Sequence, residues 1–154
     1  MTAHAVRQST DSEEAVREVN RRFYQALAAL DLAQMEEVWL REDWAECVHP
    51  GWNVLRGWEE IRESWTGIFH GARRMKVEIS NVSLNVEGTV AWVACTERIT
   101  STFDTGFDQV RAQATNIFVQ RKVPDAPGGE PHPRWFMVAH HASPIAPTAP
   151  PPLQ

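Results

Sequence analysis

Several things are missing from this chain of 154 residues. It has no CxxC pair; its two cysteines, Cys47 and Cys95, stand apart, each inside an apolar pattern. That excludes a zinc ribbon and a dithiol redox motif. It leaves two small hydrophobes suited to a reducing compartment. Long basic runs are absent, the longest being Arg73-Arg74 and Arg121-Lys122. With 15 basic against 20 acidic residues and a formal net charge of -5, nothing is dense enough to track a phosphate backbone, so nucleic acid is not an expected partner. No apolar run approaches a membrane span, and the opening MTAHAVRQSTDSEE holds no apolar signal core. The expectation is a cytoplasmic protein with no membrane partner. Internal repeats are also absent.

What is present is an ordinary globular composition, 43% hydrophobic and 23% charged, long enough to bury one core without staples. Asp11 and Ser12 read as N-cap residues, with Glu13 and Glu14 in the first turn. Val16, Val19, Phe23, Leu27 and Leu30 then recur at three- and four-residue steps, one apolar stripe of a helix. Asp31 starts a second short helix carrying Leu32, Met35 and Trp39. A short strand covers Glu46 to His49 and is ended by Pro50-Gly51. Val54-Leu55 leads to a turn at Arg56-Gly57, and a third helix spans roughly Trp58 to His70.

After Gly71 the period changes to two. Met75 to Val86 alternates, with a phase slip near Ser80-Asn81 that suggests a bulge. Glu87-Gly88 is a hairpin turn. Thr89 to Ser101 is rich in Val, Thr, Ile and Trp, a long strand. Phe103 to Asp108 turns the chain, and Gln109 to Lys122 puts Val110, Ala112, Ala114, Asn116 and Phe118 on one face. PDAPGGEPHP is a surface loop, and Arg134 to Ser143 is the last strand. Segregated helices followed by consecutive strands mean α+β, in the order α-α-β-α-β-β-β-β. The expected architecture is a cone-shaped, curved antiparallel sheet with three helices on its concave face. Residues 1–11 read as an N-terminal extension, 12–145 as the domain, and 146–154 as a Pro-rich tail that cannot continue a ladder.

The segments VREVNRRFYQALAALDLAQMEEVW, CVHPGW, VLRGWEEIRESW, ATNIFVQR and RWFMVAHHASPI resemble the nuclear-transport-factor-2-like superfold, and within it the SnoaL-like and ketosteroid-isomerase-like group. The resemblance covers roughly residues 13–145. It implies a cone-shaped barrel with a ligand pocket; that superfold hosts isomerases, dehydratases and cyclases, and also proteins with no catalysis. Ketosteroid isomerases carry a base aspartate before the proline that ends the first strand; His49 stands there. They carry a tyrosine on the first helix; Phe23 falls at that place, with Tyr24 one residue off. They carry a protonated aspartate on the next-to-last strand; Asn116 is the match. In VAHHASP, His141 and Ser143 resemble the end of the association domain of calcium/calmodulin-dependent kinase, an oligomerisation module.

The candidate site is therefore His49, Asn116 and His141, converging in one cavity walled by Phe23, Tyr24, Trp39, Trp52 and Phe118. His141 shares a strand face with Trp135, Met137, Ala139 and Ser143, while His140 points the other way. If the cavity is catalytic, His49 moves the proton and Asn116 donates to a carbonyl or hydroxyl oxygen, with a pH dependence near 6 to 7. Simple packing is the competing role for each of these residues. Adjacent histidines on a strand face opposite ways. That leaves no third ligand, so no metal is expected, and no cofactor either. Ser143 and His141 have no nucleophile elbow to support a hydrolase triad. The leading expectation is a small-molecule-binding protein with an apolar or partly polar ligand. The alternatives are an isomerase, cyclase or dehydratase, or an oligomerisation module. Apolar residues on the second sheet face, Ile117 and Val119 beside Thr115, suggest a homodimer.

Overall fold

The computed structural model of the chain describes residues 2–147. Helix α1 runs over Ala3–Ala29, so it starts well before the Asp11-Ser12 pair expected to cap it. Residues 3–10 contain no Gly or Pro to stop a helix, and Asp11 simply occupies an exposed helical position, where its low propensity costs little. The expected stripe holds: Val16, Val19, Phe23 and Leu27 are buried. Leu30 turns left-handed at φ 53 and ends the helix. Asp31 caps α2, Leu32–Val38, its carboxylate accepting from the Gln34 N–H at 3.1 Å.

Strand β1 is Glu46–Val48. A two-residue strand β2, Leu55–Arg56, stands where only a turn was expected. Gly57 then takes φ 85, and a Cβ there would meet the Asp43 carbonyl at 3.3 Å, so the entry to α3, Trp58–Gly71, requires glycine. Four long strands follow: β3 Arg74–Glu87, β4 Val90–Phe103, β5 Gly106–Pro124 and β6 Pro131–Pro144. The phase slip in β3 is a real irregularity between Ser80 and Ser83, with Asn81 at φ 52.

The sheet order is β2-β1-β6-β5-β4-β3. The α+β class and the three-helix cone stand, with three corrections. Among the described residues the sheet has six strands, and it is mixed: β1 lies parallel to β6, Glu46 opposite Ala139 and Val48 opposite His141. A pairing between segments so far apart carries no local sequence signature. The sheet is also open, ending at β2 and β3, not closed into a barrel. Its inner face packs on Phe23, Met35, Trp39, Ile61 and Trp65, all buried in the core. No helix among the described residues is long and apolar enough to cross a membrane. Of the expected Pro-rich tail, residues 148–154 lie outside the described residues.

One detail of β6 decides the site. Phe118 pairs with Met137, but Ile117 pairs with Ala139. Val138 is the extra residue of a bulge, and the alternation of side chains reverses across it.

Candidate functional site

Four elements bring polar side chains into an apolar interior. Alternation along β4 turns Ala91, Val93, Cys95 and Glu97 inward. One face of α1 supplies Asn20 and Tyr24, a helical turn apart. β5 supplies Asn116, and β6, after its bulge, supplies His140 directly opposite it. The Asn116 amide donates to Asn20 Oδ1 at 2.9 Å and to Tyr24 Oη at 3.0 Å. Its Oδ1 must then accept from the Nδ1–H of His140, at 2.6 Å, which leaves His140 Nε2 as the bare ring nitrogen. Tyr24 donates to Glu97 Oε2 at 2.6 Å and lies 3.2 Å from Cys95 Sγ. The result is a continuous buried chain, Glu97–Tyr24–Asn116–His140.

Charge is costly in this chain. Glu97 is 1% exposed and Asn116 fully enclosed. Glu97 Oε1 has no partner among the described residues. Burial pushes its carboxyl up to about 7, against the opposing pull of the Tyr24 hydrogen bond. Burial, then the neighbouring Glu97 charge, raises the Tyr24 phenol well above its ordinary value. Burial also takes His140 down to about 3, with His49 and His141 adding to the effect. His140 is therefore a neutral imidazole at physiological pH.

His49 sits beside this chain. Its ring meets Trp65 edge-on at 4.6 Å and lies 6.5 Å from the His140 ring. Ser64 gives its hydroxyl proton to the Ile61 carbonyl at 2.7 Å, so its oxygen accepts from His49 Nε2–H at 2.8 Å. Burial lowers His49 to about 4. A base titrating between pH 6 and 7, expected from the free imidazole, is not what this environment provides.

The predicted site residues separate. His49, Asn116, Phe23 and Tyr24 come together, with Phe23 against His140 at 4.8 Å. His141 does not join them: it is exposed on the outer sheet face, because the bulge at Val138 exchanges its place with His140. The expectation that His140 points away is reversed for the same reason. Trp39 is buried against Trp58, with ring centroids 6.1 Å apart. Phe118 is core packing. Trp52 is 49% exposed and covers the His49 ring edge-on at 4.8 Å. Glu97 was missed, although the alternation Ala91-Val93-Cys95-Glu97 holds the signal. Among the described residues, no three His, Cys, Asp or Glu side chains cluster closely enough to hold a metal ion.

The space next to this network is a cleft of about 450 Å³ between α1 and strands β3 and β4. Its floor carries Asn20 and Tyr24; Val77, Ile79, Leu84 and Val93 form apolar walls, and Arg17 and Arg21 stand at the helix edge. A second concavity of about 400 Å³ lies on the outer sheet face, beside Thr115, Ile117 and His141.

The SnoaL-like domain family model matches residues 16–147. The chain belongs to the SnoaL-like domain family. Among solved structures, this SnoaL-like chain is similar to a candidate dehydratase of the nuclear-transport-factor-2-like family from Streptomyces avermitilis. The two are 30% identical with a TM-score of 0.76, over 89% of this chain and 98% of that one. It is also similar to a candidate calcium/calmodulin-dependent protein kinase type II association domain from Thiobacillus denitrificans. That pair is 26% identical with a TM-score of 0.68, over 83% and 93% of the chains. Among curated proteins, the F-box protein SKIP8 of Arabidopsis thaliana is 27% identical over 129 residues, 84% of this chain. The SnoaL-like chain spans about half the length of that relative (49%).

Proposed function

We propose that this SnoaL-like protein binds a small, largely apolar molecule carrying an oxygen function, in the cleft between α1 and strands β3 and β4. The observation that carries the reading is the floor of the cleft. Asn20 has spent its oxygen on Asn116, which leaves its two N–H donors at a wall that is otherwise aliphatic. Few, placed donors in an apolar concavity are what orient a small ligand. Mass spectrometry of the protein isolated under native conditions is expected to find a bound apolar compound. Ala28→Trp, at the exposed helix edge of the cleft, should lose it. Retention of the compound by the folded variant would overturn the reading.

A second reading is an enzyme, an isomerase, cyclase or dehydratase. Its support is Glu97, a buried carboxyl that exchanges its proton near pH 7 one hydrogen bond behind Tyr24, in a chain 30% identical to a candidate dehydratase. In this reading the proton-handling group is Glu97, since His49 is enclosed and bonded to Ser64. Glu97→Gln should then stop turnover of a bound compound without releasing it; unchanged turnover would rule the enzyme reading out.

We also propose a homodimer formed through the outer sheet face, where Trp92, Thr115, Ile117 and Ala139 share one side. Sheet registers pair Trp92 with Ile117 and Ile117 with Ala139. An oligomerisation role without catalysis would use this same face. Light scattering at micromolar concentration should return twice the chain mass, and a monomer mass would remove the proposal. The free, buried thiols Cys47 and Cys95 support a reducing, cytoplasmic location, which cell fractionation would contradict if the protein were found elsewhere.

A further inference from the structure

We infer that the ligand of the α1–β3 cleft carries a carboxylate at its polar end; this rests on the binding role proposed for that cleft. The whole chain is acidic, at -5, yet among the described residues the only charged side chains lining the cleft are Arg17 and Arg21. Their spacing of four puts both on the same helix edge, above the aliphatic walls. Asn20 lies between them in sequence and below them in the cleft. Its Oδ1 is occupied by the Asn116 amide, so what remains is a donor. Guanidinium and amide N–H groups at the same end of an apolar slot match an anionic oxygen pair.

The two arginines are not equivalent. Arg21 is held by Glu18 through contacts of 2.9 and 2.5 Å, so its charge is largely answered within the helix. Arg17 has no ion-pair partner among the described residues. Glu13 and Glu14 lie one turn before Arg17 on α1 but are not among the cleft's lining residues, and Glu97, beneath Tyr24, is 1% exposed, so it presents no charged surface to a ligand. Arg17 therefore carries the net positive charge of the mouth. A cation would meet like charge there, and a neutral alcohol would use Asn20 but leave the guanidinium to water.

The test uses three probes of equal chain length, octanoate, 1-octanol and octylammonium. Each is titrated calorimetrically below its aggregation limit, against the full-length protein at low ionic strength. Octanoate is expected to bind about tenfold more tightly than octanol, with octylammonium weakest, and the preference should shrink at high salt. Arg17→Gln, an exposed position that leaves the core untouched, should remove the preference for octanoate and leave octanol binding unchanged. Ala28→Trp should weaken octanoate and octanol alike. If octanol binds as well as octanoate, the carboxylate inference is overturned while the cleft reading stands. If octanoate binding survives Ala28→Trp, the anion binds elsewhere and the inference fails. If none of the three binds, the cleft reading fails with it.

Discussion

Glu97 stands between two costs. Ionised, it keeps a charge in an apolar interior, with one oxygen bonded to Tyr24 and the other without a partner among the described residues. Protonated, it loses part of a charge-assisted bond but sheds the desolvation cost, and burial tips the balance enough to move the carboxyl from 4.5 to about 7. Between those values the folded protein holds the proton more tightly than the unfolded chain does. Stability from this group is therefore full below pH 4.5 and is lost as pH rises through 7. A displacement of that size corresponds to about 3 kcal/mol. Glu97→Gln keeps an acceptor for the Tyr24 hydroxyl and removes the charge. Relative to the variant, the wild type should lose up to about 3 kcal/mol of stability between pH 5 and pH 8, read from urea midpoints. An equal gap between the two proteins at both pH values would show that Glu97 does not titrate in this range. His49 and His140 act with the opposite sign. Both are held neutral by burial, at about 4 and about 3, so their contribution is present above pH 6.5 and lost as pH falls toward those values.

The elements show how far local patterning reaches. Alternation marked β3 and β5, while β4 stood out by its Val, Thr, Ile and Trp content; alternation placed Asn116 on the inner face correctly, because the β4–β5 register holds through that position. The same rule failed in β6. Nothing in WFMVAHH distinguishes Val138 as supernumerary; the bulge is set by the fit of β6 against β5 at Phe118 and Ile117, a tertiary fact. The parallel seat of β1 beside β6 was hidden for the same reason. Glu97 was legible in principle, since period-two alternation carried along Thr89 to Ser101 puts it in phase with Ala91, Val93 and Cys95, but a charged residue in an inward position reads as an exception until its partner Tyr24 is seen. The start of α1 was misplaced because good capping residues also occur inside exposed helix. A paired substitution tests the bulge. His140→Ala removes a buried ring and orphans Asn116 Oδ1, and should cost about 2–4 kcal/mol. His141→Ala removes an exposed ring and should stay within about 0.5 kcal/mol. Denaturant titration that ranked the two the other way round would place His141, not His140, in the core.

At the scale of the whole molecule, the sheet separates two surfaces with different duties. Its inner side carries the core, the polar chain from Glu97 to His140 and, at the β3 end, the cleft. Its outer side carries Thr115, Ile117 and His141 around a shallow concavity. A partner seated on that outer side would bury apolar area without touching Arg17, Asn20 or the cleft walls, because the thickness of the sheet lies between them. Association and ligand binding should therefore be separable by mutation. Ile117 is only partly buried, and its neighbour across β4 is Trp92, so a charge at 117 meets an apolar counterpart on a symmetric partner and its own copy nearby. Ile117→Glu is expected to shift the mass in light scattering from dimer to monomer at micromolar concentration, with octanoate affinity unchanged. A monomeric variant that also lost the ligand would mean that the cleft depends on the partner, and the two faces would then have to be treated as one assembly.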